Sequence, residues 1–150
     1  MDEWLNEVKH IGIHFNNDQP LQWACENNRF DLVKLLVEQG ACVNPNICVQ
    51  TPLVIAAKQG NLEIVKYLVE RGARINNALW GGPLNSAIES RNFELVKYLV
   101  DNDAAINSYD NRIIIAAIVE KNLEIVKYLL EHGAIEEVVP DNQKDTYKSP

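Results

Sequence analysis

The stretch "TPLVIAAKQGNLEIVKYLVERGARIN", residues 51–76, reads as two helices joined by a tight turn. Thr51 suits a helix cap, and Pro52 suits the first turn, where a missing N–H is no loss. Ala56 and Ala57 leave a helix face slim enough for a second helix to lie close. Beyond the turn, Leu62, Val65, Leu68 and Val69 follow the i, i+3, i+6, i+7 spacing of a buried stripe. Glu63 and Lys66 lie three apart on another face, a solvated pair worth roughly 0.2–0.5 kcal/mol. Gly72 ends the second helix where the backbone turns left-handed.

The pattern recurs along the chain, and such periodicity outranks any local signal. "FDLVKLLVEQGA" (30–41), "LEIVKYLVERGA" (62–73), "FELVKYLVDNDA" (93–104) and "LEIVKYLLEHGA" (123–134) align with one another. Their closing residues Gly40, Gly72, Asp103 and Gly133 are 32, 31 and 30 residues apart. Asp103 takes a left-handed position that an Asp tolerates less well than a Gly. A shorter helix precedes each copy. "QPLQWACENN" (19–28) and "GPLNSAIESR" (82–91) keep the Pro-Leu start and a small mid-helix residue, and "NRIIIAAIVEK" (111–121) keeps two alanines without the proline.

On these residues the chain resembles the ankyrin repeat family over roughly residues 16 to 137. The resemblance implies an all-α solenoid of stacked helix–turn–helix repeats with short β-turn or loop connections. We assign repeats to 17–45, 46–76, 77–107 and 108–137. Gln22, Val54 and Asn85 stand where the family usually has a histidine after Pro-Leu. The shorter steps of the last two copies predict shortened or distorted loops. End repeats need a covered outer side. "DEWLNEVKHIGIHFN" (2–16) carries a helical stripe of Trp4, Leu5, Val8 and Ile11, so residues 1–16 read as an N-terminal cap. The polar tail, 138–150, mixes Pro, Asp, Lys and Ser, and its composition predicts no order beyond Pro140.

Composition excludes several functions. A chain of 150 residues suits one domain, and its 47% hydrophobic and 23% charged content is that of an ordinary water-soluble protein. The longest apolar run, "IIIAAIV" (113–119), is far short of the roughly 20 residues of a membrane span. The net charge of −7 argues against nucleic acid as a partner. Cys25, Cys42 and Cys48 are odd in number and fit no metal spacing, which points to a reducing, cytoplasmic setting. The acidic start "MDEWLNEVK" has no apolar signal core.

Little in the chain suggests catalysis. His10 and His14 are four apart, but Gly12 interrupts the helix between them, so no metal site is expected. "WGGP" lacks the lysine and spacing of a phosphate cradle. No cofactor is implied and the chain is expected not to be an enzyme. Tyr67, Tyr98 and Tyr128 share one register and are expected to stack between repeats, with their hydroxyls at the solvent edge. Asn44, Asn76 and Asn107 close the loops, where a side-chain amide can bond turn backbone.

What remains is a binding surface. Members of the family usually bind proteins through loop tips and the inner face of the short helices. Carried onto this sequence, the helix exits give Glu26 and Asn27, Lys58 and Gln59, Glu89 and Ser90, and Val119 and Glu120. The tips give Ile47, Cys48 and Gln50, then Leu79 and Trp80, then Tyr109 and Asn111. Apolar tips in successive repeats are hot-spot material. Trp80 is the sharpest case, set in "NNALWGGPL" (76–84) among turn formers. Charge is uneven: residues 1–44 carry −4, 45–76 carry +2, 77–107 carry −2 and 108–137 carry −3. A partner with a basic surface would be steered to the acidic repeats, with an association rate that falls as salt rises.

The expectation is a stand-alone intracellular module, monomeric when free, that binds and occludes a partner protein. A toxin-neutralising immunity or inhibitor protein fits that design. The alternative is an adaptor or host-targeting protein of a virus or intracellular microbe that recruits a host protein. Met1 and the polar tail lead us to expect no second domain. Trp80→Ala is expected to leave the unfolding midpoint nearly unchanged and to weaken partner binding by about 2 kcal/mol or more. A large loss of stability with unchanged affinity would show Trp80 to be core.

Overall fold

The computed structural model describes residues 19–45, 50–76, 82–107, 111–141, 144 and 146. The cap assigned to 1–16 lies outside the described residues, as do His10 and His14. The described elements are helical: α1 (Gln19–Glu26), α2 (Phe30–Glu38), α3 (Pro52–Lys58), α4 (Leu62–Glu70), α5 (Gly82–Glu89), α6 (Phe93–Asp101), α7 (Arg112–Val119), α8 (Leu123–Glu131) and a 3-10 turn, η1 (Glu136–Val138). Short and long helices alternate, as an all-α repeat solenoid requires. They fall into two compact units, Met1–Arg74 and Ile75–Pro150, each with two helix pairs. The long helices keep one length, while the linkers between pairs shrink from 39–51 through 71–81 to 102–111. Among the described residues no helix is long and apolar enough to cross a membrane.

Each pair is folded back by a left-handed residue: Asn28 (φ 54°), Gly60 (70°), Arg91 (59°) and Lys121 (54°). The next N–H returns to a mid-helix alanine carbonyl, Arg29 to Ala24 at 2.9 Å, Asn61 to Ala56 at 3.1 Å and Asn122 to Ala117 at 3.2 Å. These alanines and Ala87 are wholly buried, which is why the short helices keep a small residue there. Thr51 Oγ1 accepts from Val54 N at 3.3 Å, the expected cap. A second capping signal lies in the asparagine that opens the long helices. Asn61, Asn92 and Asn122 each accept from the N–H three residues on, at 3.0, 3.1 and 3.1 Å. Arg29 holds that place in the first pair and makes no cap bond, pairing with Asp31 at 2.8 Å instead.

The buried stripe of the long helices lies slightly off the expected line. Leu62 and Val69 are only half-buried, whereas Ile64, Val65 and Leu68 are sealed, as are Leu32/Val33/Leu36, Leu95/Val96/Leu99 and Ile125/Val126/Leu129. The i, i+1, i+4 set faces both the pair's own short helix and the neighbouring pair. Within Met1–Arg74, α1 packs on α3 and α2 on α4; within Ile75–Pro150, α5 packs on α7 and α6 on α8.

Aromatic contacts bridge neighbouring pairs inside each unit. Phe30 meets Tyr67 edge-on at 5.6 Å, and Phe93 meets Tyr128 at 5.4 Å. The tyrosine register is not one solvent-edge ladder. Tyr128 Oη donates to Asp101 at 3.2 Å, but the Tyr67 hydroxyl is buried with no hydrogen-bond partner among the described residues. Phe30 on one side and the Arg71 guanidinium over its ring, 4.7 Å from the centroid, close it in.

The loop asparagines join one repeat to the next. Asn44 Nδ2 donates to Gly72 O at 2.8 Å, and its Oδ1 accepts from Arg74 N at 2.8 Å. Asn76 does the same with Asp103 O at 2.7 Å and Ala105 N at 2.9 Å, and Asn107 donates to Gly133 O at 2.8 Å. Past the last pair, Val139 is buried, and Lys144 N donates to Pro140 O at 3.2 Å in a helical turn. Beyond Pro140 the described residues are Asp141, Lys144 and Thr146, with a 2.6 Å Lys144–Asp141 pair; the rest of the tail lies outside the described residues.

The long helices close on Gly40 (φ 99°), Gly72 (87°), Asp103 (64°) and Gly133 (96°). The following alanine N–H reaches back five residues, for example Ala104 to Leu99 O at 3.0 Å. A Cβ at Gly72 would meet nothing within 4 Å, so glycine is needed there for its backbone angle and not for space. Asp103→Gly is therefore expected to raise stability in urea unfolding by about 1 kcal/mol, and Gly72→Ala to lower it by a similar amount. An Asp103→Gly midpoint at or below that of the native chain would contradict the strain assigned to this position.

Candidate functional site

Once the short helices have buried their packing residues, two positions one turn apart stay at least partly open on every one of them, beside Trp23 on α1 and Arg112 on α7. The first is Gln22, Val54, Asn85 or Ile115, and the second is Glu26, Lys58, Glu89 or Val119. The fold explains this spacing. The mid-helix alanine and its i−3 neighbour Leu21, Leu53, Leu84 or Ile114 face inward, so residues offset by two from them face out.

In each unit these positions line a groove. In Met1–Arg74 it is bounded by Glu26, Gln50, Val54, Ile55, Lys58 and Gln59 and encloses about 220 Å³. In Ile75–Pro150 it is bounded by Asn85, Glu89, Arg112, Ile115, Ala116, Val119 and Glu120 and encloses about 420 Å³. Of the residues expected to bind a partner, Gln50, Lys58 and Gln59 meet in the first groove, and Glu89, Val119 and Glu120 in the second. Ser90 and Asn111 do not line them. The Ser90 hydroxyl donates to Ala87 O at 2.7 Å and serves the turn, while Asn111 is a left-handed residue (φ 60°) ahead of α7. Ile47, Cys48, Leu79, Trp80 and Tyr109 lie outside the described residues.

Sequence reasoning took the helix exits and missed the position one turn earlier, where Val54, Asn85 and Ile115 stand. The signal was available in the copies themselves: this register changes from Gln to Val to Asn to Ile while the alanine two residues on never changes.

The grooves differ in chemistry. The first carries Lys58 opposite Glu26 among amides. The second has an aliphatic floor, with Val119 68% and Ile115 40% exposed. Glu89 accepts from the Asn85 amide at 2.8 Å. Glu120 accepts from Arg91 at 3.0 Å across neighbouring turns, a surface pair worth about 0–1 kcal/mol. Cys25 is wholly buried on α1. Burial, then the charge of Glu26, pushes its thiol up to about 12. Cys42 is exposed, and among the described residues neither it nor Cys25 forms a disulfide. Among the described residues no three His, Cys, Asp or Glu side chains group as a metal site would need. The side chains present offer shape, hydrogen-bonding groups and charge.

No curated protein matches the chain. The family model for ankyrin repeats, itself three copies long, matches residues 3–78 and again 80–140. Helix pairs, turns and family match agree: the chain belongs to the ankyrin repeat family, whose repeats form protein–protein interaction modules.

Proposed function

We propose that this chain binds a partner protein across the open sides of its short helices and acts by covering it, as an inhibitor or toxin-neutralising immunity protein would. The observation that carries this reading is the contrast between two registers. Beneath the surface stands the same residue four times, Ala24, Ala56, Ala87 and Ala117, wholly buried. Above it stand Glu26, Lys58, Glu89 and Val119, all exposed: two carboxylates, an ammonium and an aliphatic. Packing demands nothing of the second register, so its variety serves contact with something else.

Covering is favoured over catalysis by the side chains on offer. The grooves hold amides, carboxylates, one lysine, one arginine and aliphatics, and the nearby thiol of Cys25 is held protonated. We take the setting to be cytoplasmic, in keeping with the odd number of cysteines in the sequence. We take the free chain to be a monomer, and a basic face on the partner to suit the acidic repeats.

The test is affinity isolation with the full chain from its native cell, followed by an activity assay of what is recovered. The expected result is one stoichiometric protein whose activity falls on binding, with affinity reduced at least tenfold by Lys58→Glu. Recovery of ligase or signalling components with undiminished activity would replace occlusion by recruitment. Recovery of nothing stoichiometric would overturn the proposal.

A further inference from the structure

Val119 breaks the rule of its register. Glu26, Lys58 and Glu89 put charge at this exit, whereas α7 ends in a β-branched aliphatic that is 68% exposed. Ile115, one turn earlier, is 40% exposed. After Arg112 the helix runs "IIIAAIV", apolar on every side. Ile113, Ile114 and Ala117 account for the buried faces. Helices that are apolar all round are normally covered all round.

The opposite wall of the groove says what kind of cover fits. It is formed by Asn85 and Glu89 of α5. The Asn85 amide holds the Glu89 carboxylate at 2.8 Å, a neutral donor that leaves the negative charge in place. The nearby Arg91 is engaged by Glu120 at 3.0 Å. Ile75–Pro150 as a whole has 12 acidic and 7 basic residues, net −5. Arg112 lines this groove two turns before Val119, and in the corresponding groove of Met1–Arg74 Lys58, at the register of Val119, offsets the charge of Glu26.

Resting on the reading that the open faces bind protein, we infer that the α5–α7 groove takes a partner segment in which an aliphatic side chain lies about one helical turn from a lysine or arginine. The aliphatic group covers Ile115 and Val119, and the cation meets Glu89. Burial of the apolar pair supplies affinity, and the carboxylate sets orientation and rejects acidic segments.

The test selects a phage-displayed random peptide library against the full chain. Enriched peptides are expected to pair an aliphatic residue with Lys or Arg three or four positions away. Their affinity is expected to fall at least tenfold with Val119→Lys and with Glu89→Lys, and to be unmoved by Lys58→Glu. Both substitutions are at exposed positions, so unchanged melting midpoints will show the variants folded. Acidic or wholly polar winners, or winners indifferent to Val119→Lys, would overturn the inference. Concentration-dependent dimerisation in sedimentation that Val119→Lys abolishes would overturn it too, by showing that a second copy covers this face. Winners lost with Lys58→Glu alone would sink this inference and leave the protein-binding reading standing. A library with no winner, alongside a native-cell isolation that recovers nothing, would end both.

Discussion

Helices of seven to nine residues do not hold themselves together in water, where isolated helices shorter than about 12–15 residues are marginal. Everything in this protein depends on how that shortfall is met. Each pair seals Ile64, Val65 and Leu68, or their counterparts, against its own short helix and the adjacent pair. Fully burying one such side chain contributes roughly 1.5–3 kcal/mol. The wholly buried alanines let the short helices approach closely enough for that seal to form. Left-handed turns and asparagine caps then satisfy the backbone groups that so many helix ends expose. The asparagines of the loops add bonds from one repeat to the next within each unit.

This division of labour leaves one side of every short helix without a structural task. That side is where the repeats stop resembling one another. In Met1–Arg74 it sets Glu26, Lys58 and two amides beside Val54 and Ile55; in Ile75–Pro150 it sets Ile115 and Val119 beside Glu89 and Arg112. A single architecture thus presents two different chemistries at equivalent places, as expected of a scaffold whose surface is tuned separately from its core.

The fold was legible because its signals recur. The four long helices, the left-handed closing residues and the short-helix alanines each appear four times, and a misreading of one copy is corrected by the others. Two local features were less visible. The buried stripe lies on Ile64, Val65 and Leu68 because the long helix is packed from two directions, which a one-sided amphipathic pattern does not convey. The caps at Asn61, Asn92 and Asn122 were overlooked because they sit inside a turn already explained by its left-handed residue. The candidate site was half legible. Exits such as Lys58, Glu89 and Val119 follow from family geometry, but Val54, Asn85 and Ile115 emerge only once burial shows which face is open. The burial of Val139 was hidden because it stands at the start of an otherwise polar segment.

The central claim is that the buried stripe carries the fold and the open register carries recognition. Equilibrium unfolding of one variant with Glu26, Lys58, Glu89 and Val119 all changed to alanine, set beside Leu68→Ala, tests it directly. The account predicts a loss of under about 1 kcal/mol for the four surface changes together and about 2–5 kcal/mol for the single core change. A fourfold surface variant as unstable as Leu68→Ala would contradict it, since the open register would then belong to the fold.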